Sequence, residues 1–317
     1  MAAKAWAPQQ QDEIVLRNDA VSLRMLLNRR ARTMRVVDFR AGPSRAKRDA
    51  VLKLAEQEGI DKIYTLVERD EIATWVKMGF LREASVPGFY KRTDAFLLGF
   101  SMRTLDPRHS QVRLAARRAQ QALEASGDIG DEEVIVEEDP VIVRAEKTLV
   151  TAKKYSKQLG SRSLPAMKIS SLDATAMKKL IANATRSGRA LSGFEPFGRD
   201  AIRQYFVSST KGVGDIGLSL EEQPCFQCVL FELLISPKNE QEWMATAATT
   251  STVCDRLTER GYVAAFAMSP TDDPWLASAY VYAGFRRTGV LRDHMLVGGE
   301  RKDSYAWSRK LANPADE

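Results

Sequence analysis

Residues 229–268 read VLFELLISPKNEQEWMATAATTSTVCDRLTERGYVAAFAM. This segment opens and closes with nearly continuous apolar runs, at 229–235 and 262–268, which are typical of strands buried on both faces of a sheet. Pro237 ends the first run, and the stretch at 240–260 indicates a long helix that stops at a glycine. The segment therefore predicts two buried strands joined by a crossover helix, the unit on which a mixed α/β sheet is built.

The flanking sequence extends this unit in both directions. Upstream, a strand, two helices and a strand are predicted at 167–171, 173–184, 199–208 and 215–220. Downstream, a helix and two strands are predicted at 274–284, 287–297 and 304–311. The glycine pair Gly298–Gly299 turns between the two last strands. The C-terminal half alone thus predicts a complete mixed α/β domain.

The N-terminal half repeats part of this order. A strand, a helix, a strand, a short helix and a hairpin are predicted at 33–40, 44–58, 63–68, 72–78 and 81–100. Gly79-Phe80 at the end of the short helix matches Gly284-Phe285 in the second half. We interpret this pattern as a degenerate internal duplication. The first copy is too short to contain the opening strand, the helices that follow that strand and a full second strand.

The length of 317 residues suits about two domains. We place the partial first copy at 1–106, a helical connector at 107–163 and the complete second copy at 164–317. The connector predicts a basic helix at 112–125, an acidic irregular stretch at 127–139 and a lysine-rich helix at 143–159.

Composition restricts the partners. The chain has 44% hydrophobic and 28% charged residues, as ordinary globular proteins do. No run approaches the ~20 apolar residues of a membrane helix, and the start is polar, so we expect a cytoplasmic protein without a membrane partner. The net charge of +6 could attract nucleic acid or a polyphosphate cofactor. Because Tyr155 is the connector's only aromatic residue, base stacking is disfavoured, and we expect no nucleic-acid partner.

The cysteines and histidines predict no metal site. Cys225 and Cys228 form an isolated pair, while Cys254 and both histidines lie far away in sequence. A structural zinc ion takes about four such ligands, usually from two pairs. An odd number of cysteines also suits a reducing compartment.

The segment at 280–285 reads YVYAGF and resembles the Tyr-x-x-x-Gly-Phe signature of the GNAT superfamily of N-acetyltransferases. The resemblance covers about 164–311 and, in part, 34–100. It implies an α/β protein made of tandem GNAT-like mixed sheet domains, the acyl-CoA N-acyltransferase fold, with a truncated N-terminal copy. It also implies acetyl-CoA as the cofactor and a primary amine as the acceptor.

A looser likeness concerns the β-lysine N-acetyltransferases. It is carried by FEPF at 194–197 and by the closing hairpin, with GFRRTGVL at 284–291 and Trp307. This likeness implies a small amine or amino acid as the acceptor, rather than a protein lysine. Whether the protein forms a homo-oligomer is left open by the sequence.

The resemblance to the GNAT superfamily implies two catalytic residues. Tyr280 would protonate the thiolate of CoA as it leaves. Glu232, the only charge in VLFELLI, would be the general base for the amine, directly or through water. Two other interpretations stay open, in which Glu232 is a paired core carboxylate and Tyr280 is helix core. In the first copy Trp75 takes the place of Tyr280 and has no hydroxyl to donate, so we expect chemistry in the second copy only.

The same resemblance places CoA along the crossover unit. The pantetheine would run beside the end of the first strand and the following helix, at Leu233, Leu234, Ile235, Ser236, Asp273 and Ser278. Backbone N–H groups near Leu234 and Ile235 would stabilise the oxyanion. The pyrophosphate would lie at the N-terminus of the long helix, at Lys238, Asn239, Glu240, Gln241, Glu242 and Trp243.

The phosphate segment departs from the family pattern. GNAT enzymes usually have a glycine-rich loop there, whereas the segment at 236–245 has no glycine and two acids. The corresponding loop of the first copy, at 42–48, has one glycine and three cations. The alternative function is therefore a non-catalytic binding or scaffold protein built from two degenerate GNAT copies.

Overall fold

The computed structural model describes residues 12–17, 21–29, 31–38, 42–90, 93–105, 139–191, 202–222 and 228–312. These residues form two mixed sheets. The first sheet and its helices comprise β1 (Asp12–Arg17), β2 (Ser22–Asn28), β3 (Thr33–Asp38), α1 (Arg45–Gln57), β4 (Lys62–Val67), α2 (Ile72–Lys77), β5 (Leu81–Val86) and β6 (Ala95–Ser101). Short 3-10 turns occur at Arg69–Glu71 and Met102–Leu105.

A long helix, α3 (Pro140–Gly160), precedes the second sheet. That sheet and its helices comprise β7 (Lys168–Leu172), α4 (Ala174–Arg186), β8 (Ile202–Ser209), β9 (Ile216–Glu222), β10 (Cys228–Leu233), α5 (Glu240–Glu259), β11 (Ala264–Pro270), α6 (Pro274–Tyr282), β12 (Arg286–Val297) and β13 (Glu300–Lys310). The expected helix at 112–125, and the expected irregular stretch at 127–139 except its last residue, lie outside the described residues. Among those that are described, no helix is long and apolar enough to cross a membrane.

The two sheets share one strand order. The first runs β1-β2-β3-β4-β6-β5, and the second runs β7-β8-β9-β10-β11-β13-β12. Each has a single parallel pair, β3 with β4 and β10 with β11, and antiparallel pairs elsewhere. Without β7 and α4 the second arrangement matches the first, strand for strand. The first copy is therefore truncated as expected, but the expectation that it lacks a full second strand is wrong, because β2 is the counterpart of β9 and β1 is the counterpart of β8.

The ends of α2 and α6 repeat the same local geometry. The N–H of Phe80 donates to the carbonyl of Trp75 at 3.1 Å, and the N–H of Phe285 donates to that of Tyr280 at 3.0 Å. The glycine before each phenylalanine has a positive φ, 94° and 82°, which a side chain would strain. The two ring pairs are both edge-on, at 4.9 and 5.3 Å. Trp75 thus occupies in the first copy the position of Tyr280 in the second.

One predicted helix, at 199–208, is wrong. Residues Ile202–Ser209 form β8, which pairs with β7 on one side and β9 on the other. Tyr205, Phe206 and Val207 are aromatic or β-branched residues that favour extended backbone when neighbouring strands cover them. The other predicted elements of the second copy agree with the structure to within about four residues.

The first sheet docks on the second domain through β5 and β12. Phe89 packs edge-on against Phe266 of β11, with ring centroids 6.0 Å apart. Lys62 and Glu83 form a fully buried ion pair at 2.7 Å, and Glu83 also accepts the backbone N–H of Arg292. Burial raises the pKa of Glu83, although the charge of Lys62 lowers it. A buried pair of this kind is costly to break by removing one partner.

The two domains approach each other closely at Gly289 in β12. A Cβ there would lie 2.1 Å from the carbonyl oxygen of Glu83 and 2.5 Å from the Cα of Ala84. Both neighbours are backbone atoms and cannot move without shifting β5. We expect Gly289→Ala to lower the free energy of unfolding by about 3 kcal/mol, as overpacking does. Urea unfolding measures this. Gly160→Ala, where nothing lies within 4 Å, is the control. Equal stability of the two variants would contradict the tight docking of β12 on β5.

Candidate active site

The parallel pair β10 and β11 separates part-way along its length. Cys228, Val229 and Leu230 pair with residues Ala264 to Phe266 of β11. Beyond Leu230, β10 pairs only with β9, and β11 pairs only with β13. In the first copy the equivalent pair is one residue longer, from Thr33 with Lys62 to Val36 with Thr65, and the Thr65 hydroxyl donates to the Val36 carbonyl at 2.9 Å at its last position. The second sheet therefore separates between two neighbouring strands, one residue earlier than the first sheet does.

Tyr280 projects from α6 into this opening. Its side chain is fully buried, stacked on Trp307 at 5.8 Å and edge-on to Phe231 at 6.0 Å. The hydroxyl lies next to the backbone of Leu233, yet it forms no hydrogen bond of normal geometry with any described residue. Burial raises the pKa of Tyr280 well above its ordinary value, and the charge of Glu232 raises it further. The phenol therefore stays protonated, and beyond the backbone of Leu233 no described residue offers it a polar partner.

Glu232 lies on the opposite face of β10 from Phe231, because strand side chains alternate. It is 6% exposed and accepts a hydrogen bond from the Ser219 hydroxyl at 3.0 Å. Its carboxylate also lies 3.5 Å from the guanidinium of Arg203. Glu232 is thus a buried carboxylate held by two cross-strand neighbours, close enough to Tyr280 to affect the pKa of the phenol.

Arg203 on β8 joins two buried carboxylates. It pairs with Glu221 at 2.8 Å as well as with Glu232. Burial disfavours the charged guanidinium, but the two carboxylates outweigh this cost and raise the pKa of Arg203. The cluster of two glutamates and one arginine carries one net negative charge on this face of the sheet.

The segment Arg189–Leu191 crosses the open end of the sheet. Its backbone pairs with the extension of β10: the N–H of Leu191 donates to Leu234, and the N–H of Ser236 donates to Arg189. A further bridge joins Leu191 to Val297 at the end of β12. The segment therefore borders the opening between β10 and β11 on the side of the terminal hairpin. Leu234, one of the two expected oxyanion donors, instead gives its N–H to the carbonyl of Gly217 of β9 at 2.9 Å, so this N–H is used within the sheet.

The N-terminus of α5 carries its own carboxylate. Asn239 caps the helix by accepting the N–H of Glu242 at 2.9 Å. The Glu242 side chain folds back and accepts the N–H of Lys238 at 3.1 Å. It also pairs with Arg189 at 2.7 Å and with the Lys238 ammonium at 3.4 Å. Glu240 instead points outward and pairs with Arg162.

The other residues predicted to line CoA contact one another. Trp243 donates to the hydroxyl of Ser278 at 2.7 Å and stacks on Trp275. The Ser236 hydroxyl donates to Asp273, which also caps α6 by accepting an N–H at 2.9 Å. Burial raises the pKa of Asp273. The structure thus brings these residues together along a line between α5 and α6, from the helix N-terminus to Tyr280, while Gln241 lies exposed on the outer side.

Several residues of this region were not found from sequence. Arg203, Ser219 and Glu221 were missed because their role depends on strand register, and Arg203 had been placed in a helix. Arg189 lies in a loop without any motif. The alternating pattern of Ile202–Ser209 was the only signal that could have placed Arg203 on a strand.

No protein-family model and no curated protein matches the chain. Solved structures do match it. The spermidine N-acetyltransferase of Vibrio cholerae in complex with CoA and spermine is 13% identical over 47% of this chain and 98% of its own, with a TM-score of 0.37. The ribosomal-protein-S18-alanine N-acetyltransferase of Escherichia coli is 14% identical over 46% of this chain and 95% of its own, with a TM-score of 0.35.

The chain has the acyl-CoA N-acyltransferase fold. Three features of the chain carry this assignment: the strand order with one parallel pair, the separation of that pair, and the helix with the YVYAGF motif that follows it. The expected fold class is therefore confirmed, with two such sheets and a truncated first copy.

Acetyl-CoA fits the two ends of this site unequally. At the acyl end, the strands separate and the buried Tyr280 hydroxyl lacks a partner, which suits a thioester. At the phosphate end, the helix N-terminus has no glycine, and Glu242 already accepts the N–H of Lys238. The described residues thus fit the acetyl end, and they do not fit the pyrophosphate as they stand.

Proposed function

We propose that this protein is an N-acetyltransferase that moves an acetyl group from acetyl-CoA to a primary amine in its second domain. The observation that carries the proposal is the fully buried Tyr280 hydroxyl, which forms no hydrogen bond of normal geometry with the described part of the chain, at the point where β10 and β11 separate. Buried polar groups are nearly always hydrogen-bonded, so an unsatisfied one marks a place where a ligand completes the structure. Acetyl-CoA supplies the activated acyl group.

Glu232 is proposed as the general base. An amine attacks only through its lone pair, so a proton has to leave the ammonium group first. Ser219 and Arg203 hold the Glu232 carboxylate in one orientation, and the net negative charge of the cluster with Glu221 favours the approach of a cation.

Tyr280 is proposed as the general acid. Burial keeps the phenol protonated, but a raised pKa also makes it a weaker acid than a thiol. It can therefore give its proton to the leaving thiolate only in concert with the breaking of the C–S bond. Because Phe231 contacts Tyr280 and Glu232 points the other way, acid and base lie on opposite faces of the sheet. The separated strands connect the two faces, so the amine and the thioester can meet from opposite sides.

The acceptor proposed is a small amine or an amino acid rather than a protein lysine. The segment Arg189–Leu191, bridged to Val297, borders the open end of the sheet, which favours a compact substrate. The proposed domains are 1–106, 107–163 and 164–317, with chemistry only in the last. A cytoplasmic location, with no membrane or nucleic-acid partner, remains part of the proposal.

A second candidate function is a non-catalytic binding or scaffold protein. The contacts of Trp243 with Ser278 and of Ser236 with Asp273 favour it, because they fill the line along which CoA would lie. Turnover separates the two functions. The full-length protein is incubated with acetyl-CoA and a panel of diamines and amino acids, and free thiol and acetylated product are measured. We expect thiol release that requires an amine, whereas release equal to the amine-free rate across the panel would favour the scaffold.

A further inference from the structure

The N-terminus of α5 already holds an anion from its own chain. α5 is 20 residues long, and the N-terminus of such a helix attracts negative charge through its dipole and its exposed N–H groups. Glu242 supplies that charge. Its carboxylate accepts the N–H of Lys238, and the residue is only 8% exposed.

Two cations converge on the same carboxylate. Arg189 donates to Glu242 at 2.7 Å, and the Lys238 ammonium lies 3.4 Å from its other oxygen. A backbone N–H, a guanidinium, an ammonium and a helix N-terminus together make a donor set that suits a phosphate group as well as a carboxylate.

A second feature of the same domain points to a ligand. The Tyr280 hydroxyl, on the helix that follows β11, is buried and has no hydrogen-bond partner of normal geometry among the described residues. The second domain therefore has an anion built in at the N-terminus of α5 and, where β10 and β11 separate, a polar group that the described residues leave unsatisfied.

We propose that Glu242 is an internal anion that occupies the pyrophosphate position of the second domain and sets its affinity for CoA. This rests on the proposed function, because it assumes that CoA is the donor. CoA would have to displace the Glu242 carboxylate, and Arg189 and Lys238 would then face the phosphates. Glu242 thus stabilises the free protein and weakens CoA binding.

Displacement of the Glu242 carboxylate would also change the contacts on the acceptor side of the site. Arg189 contributes its side chain to Glu242 and its backbone carbonyl to Ser236, so one residue joins the helix N-terminus to the wall of the opening. Release of this side chain removes one of the contacts that hold the wall. The acceptor side would therefore open more easily once CoA is bound.

Glu242→Gln and Glu240→Gln provide a matched test. Both remove one negative charge from the first turn of α5, but Glu240 is exposed and paired with Arg162. Binding of CoA and of inorganic pyrophosphate is measured by calorimetry, and the melting temperature of each free variant is recorded. We expect Glu242→Gln to bind both ligands at least about tenfold more tightly than wild type while melting at a lower temperature. Glu240→Gln should change affinity by less than about threefold.

The outcomes separate this inference from the proposed function. In one outcome, Glu242→Gln binds pyrophosphate and CoA more tightly, but neither protein turns over any amine. This result would support the role of Glu242 as an internal anion and would contradict the proposed acetyltransferase activity. In a second outcome, the wild type turns over an amine, but Glu242→Gln binds CoA and pyrophosphate no more tightly than Glu240→Gln does. This result would overturn the role of Glu242 as an internal anion and leave the proposed activity standing. Lower stability together with weaker binding would also overturn it, since that result describes a purely structural residue.

Discussion

Tyr280→Phe should lower turnover by about 10²-fold or more, while the affinity for acetyl-CoA stays within about twofold. The ring packing on Trp307 and Phe231 survives the substitution, and only the hydroxyl is lost. Because that hydroxyl is buried without a partner, its removal should leave the free energy of unfolding unchanged or raise it by about 1 kcal/mol. Steady-state kinetics and urea unfolding on the same preparations measure both quantities.

The control is the equivalent position of the first copy. Trp75 is 1% exposed and packs edge-on against Phe80 at the same kind of helix end. Trp75→Phe removes part of a buried ring, so it should lower stability by about 1–3 kcal/mol and leave the turnover of the folded protein nearly unchanged. Full activity of Tyr280→Phe, or a greater loss of turnover in Trp75→Phe, would show that the chemistry has been placed in the wrong copy.

Glu232→Gln should reduce turnover by about 10²- to 10⁴-fold near neutral pH. The amide keeps the shape of the side chain and can still accept from Ser219, but it cannot take a proton. The loss should shrink as the pH approaches the pKa of a primary amine, about 10.4 for lysine, because the amine then loses its proton without help. A pH–rate profile from about pH 6 to 10 measures this convergence.

Glu222→Gln is the matched control for that profile. It removes a carboxylate from the same sheet, but Glu222 pairs with Arg260 near the surface and does not contact Glu232. Its profile should follow that of wild type. A Glu232→Gln profile parallel to wild type at every pH would mean that the carboxylate only holds the sheet together through Ser219 and Arg203.

The sequence could predict what depends on one strand or helix alone. The run VLFELLI, its stop at Pro237 and the motif at 280–285 were enough to place β10, α5 and α6 and to single out Glu232 and Tyr280. Apolar periodicity and a helix-ending glycine act within a single element, so these features need no knowledge of neighbours. The matching helix ends before Phe80 and Phe285 could be predicted from the sequence for the same reason.

What the sequence could not predict depends on pairing between elements. Ser219 and Arg203 meet Glu232 only because three strands have a particular register, and a shift of one residue would turn them to the other face. The strand β8 was mistaken for a helix because its partners β7 and β9 supply most of its stability. The position of the Glu242 carboxylate depends on Arg189, which lies 53 positions away in the chain.

A crystal structure of the full-length protein soaked with CoA tests the central claim most directly. We predict density for CoA in the second domain, with its sulfur between β10 and β11 and about 3.5 Å from the Tyr280 hydroxyl. Its pyrophosphate should lie at the N-terminus of α5, with the Glu242 side chain turned away from the Lys238 N–H. CoA bound instead beside Trp75 in the first domain, or a CoA-saturated second domain with its sulfur remote from Tyr280, would contradict the account.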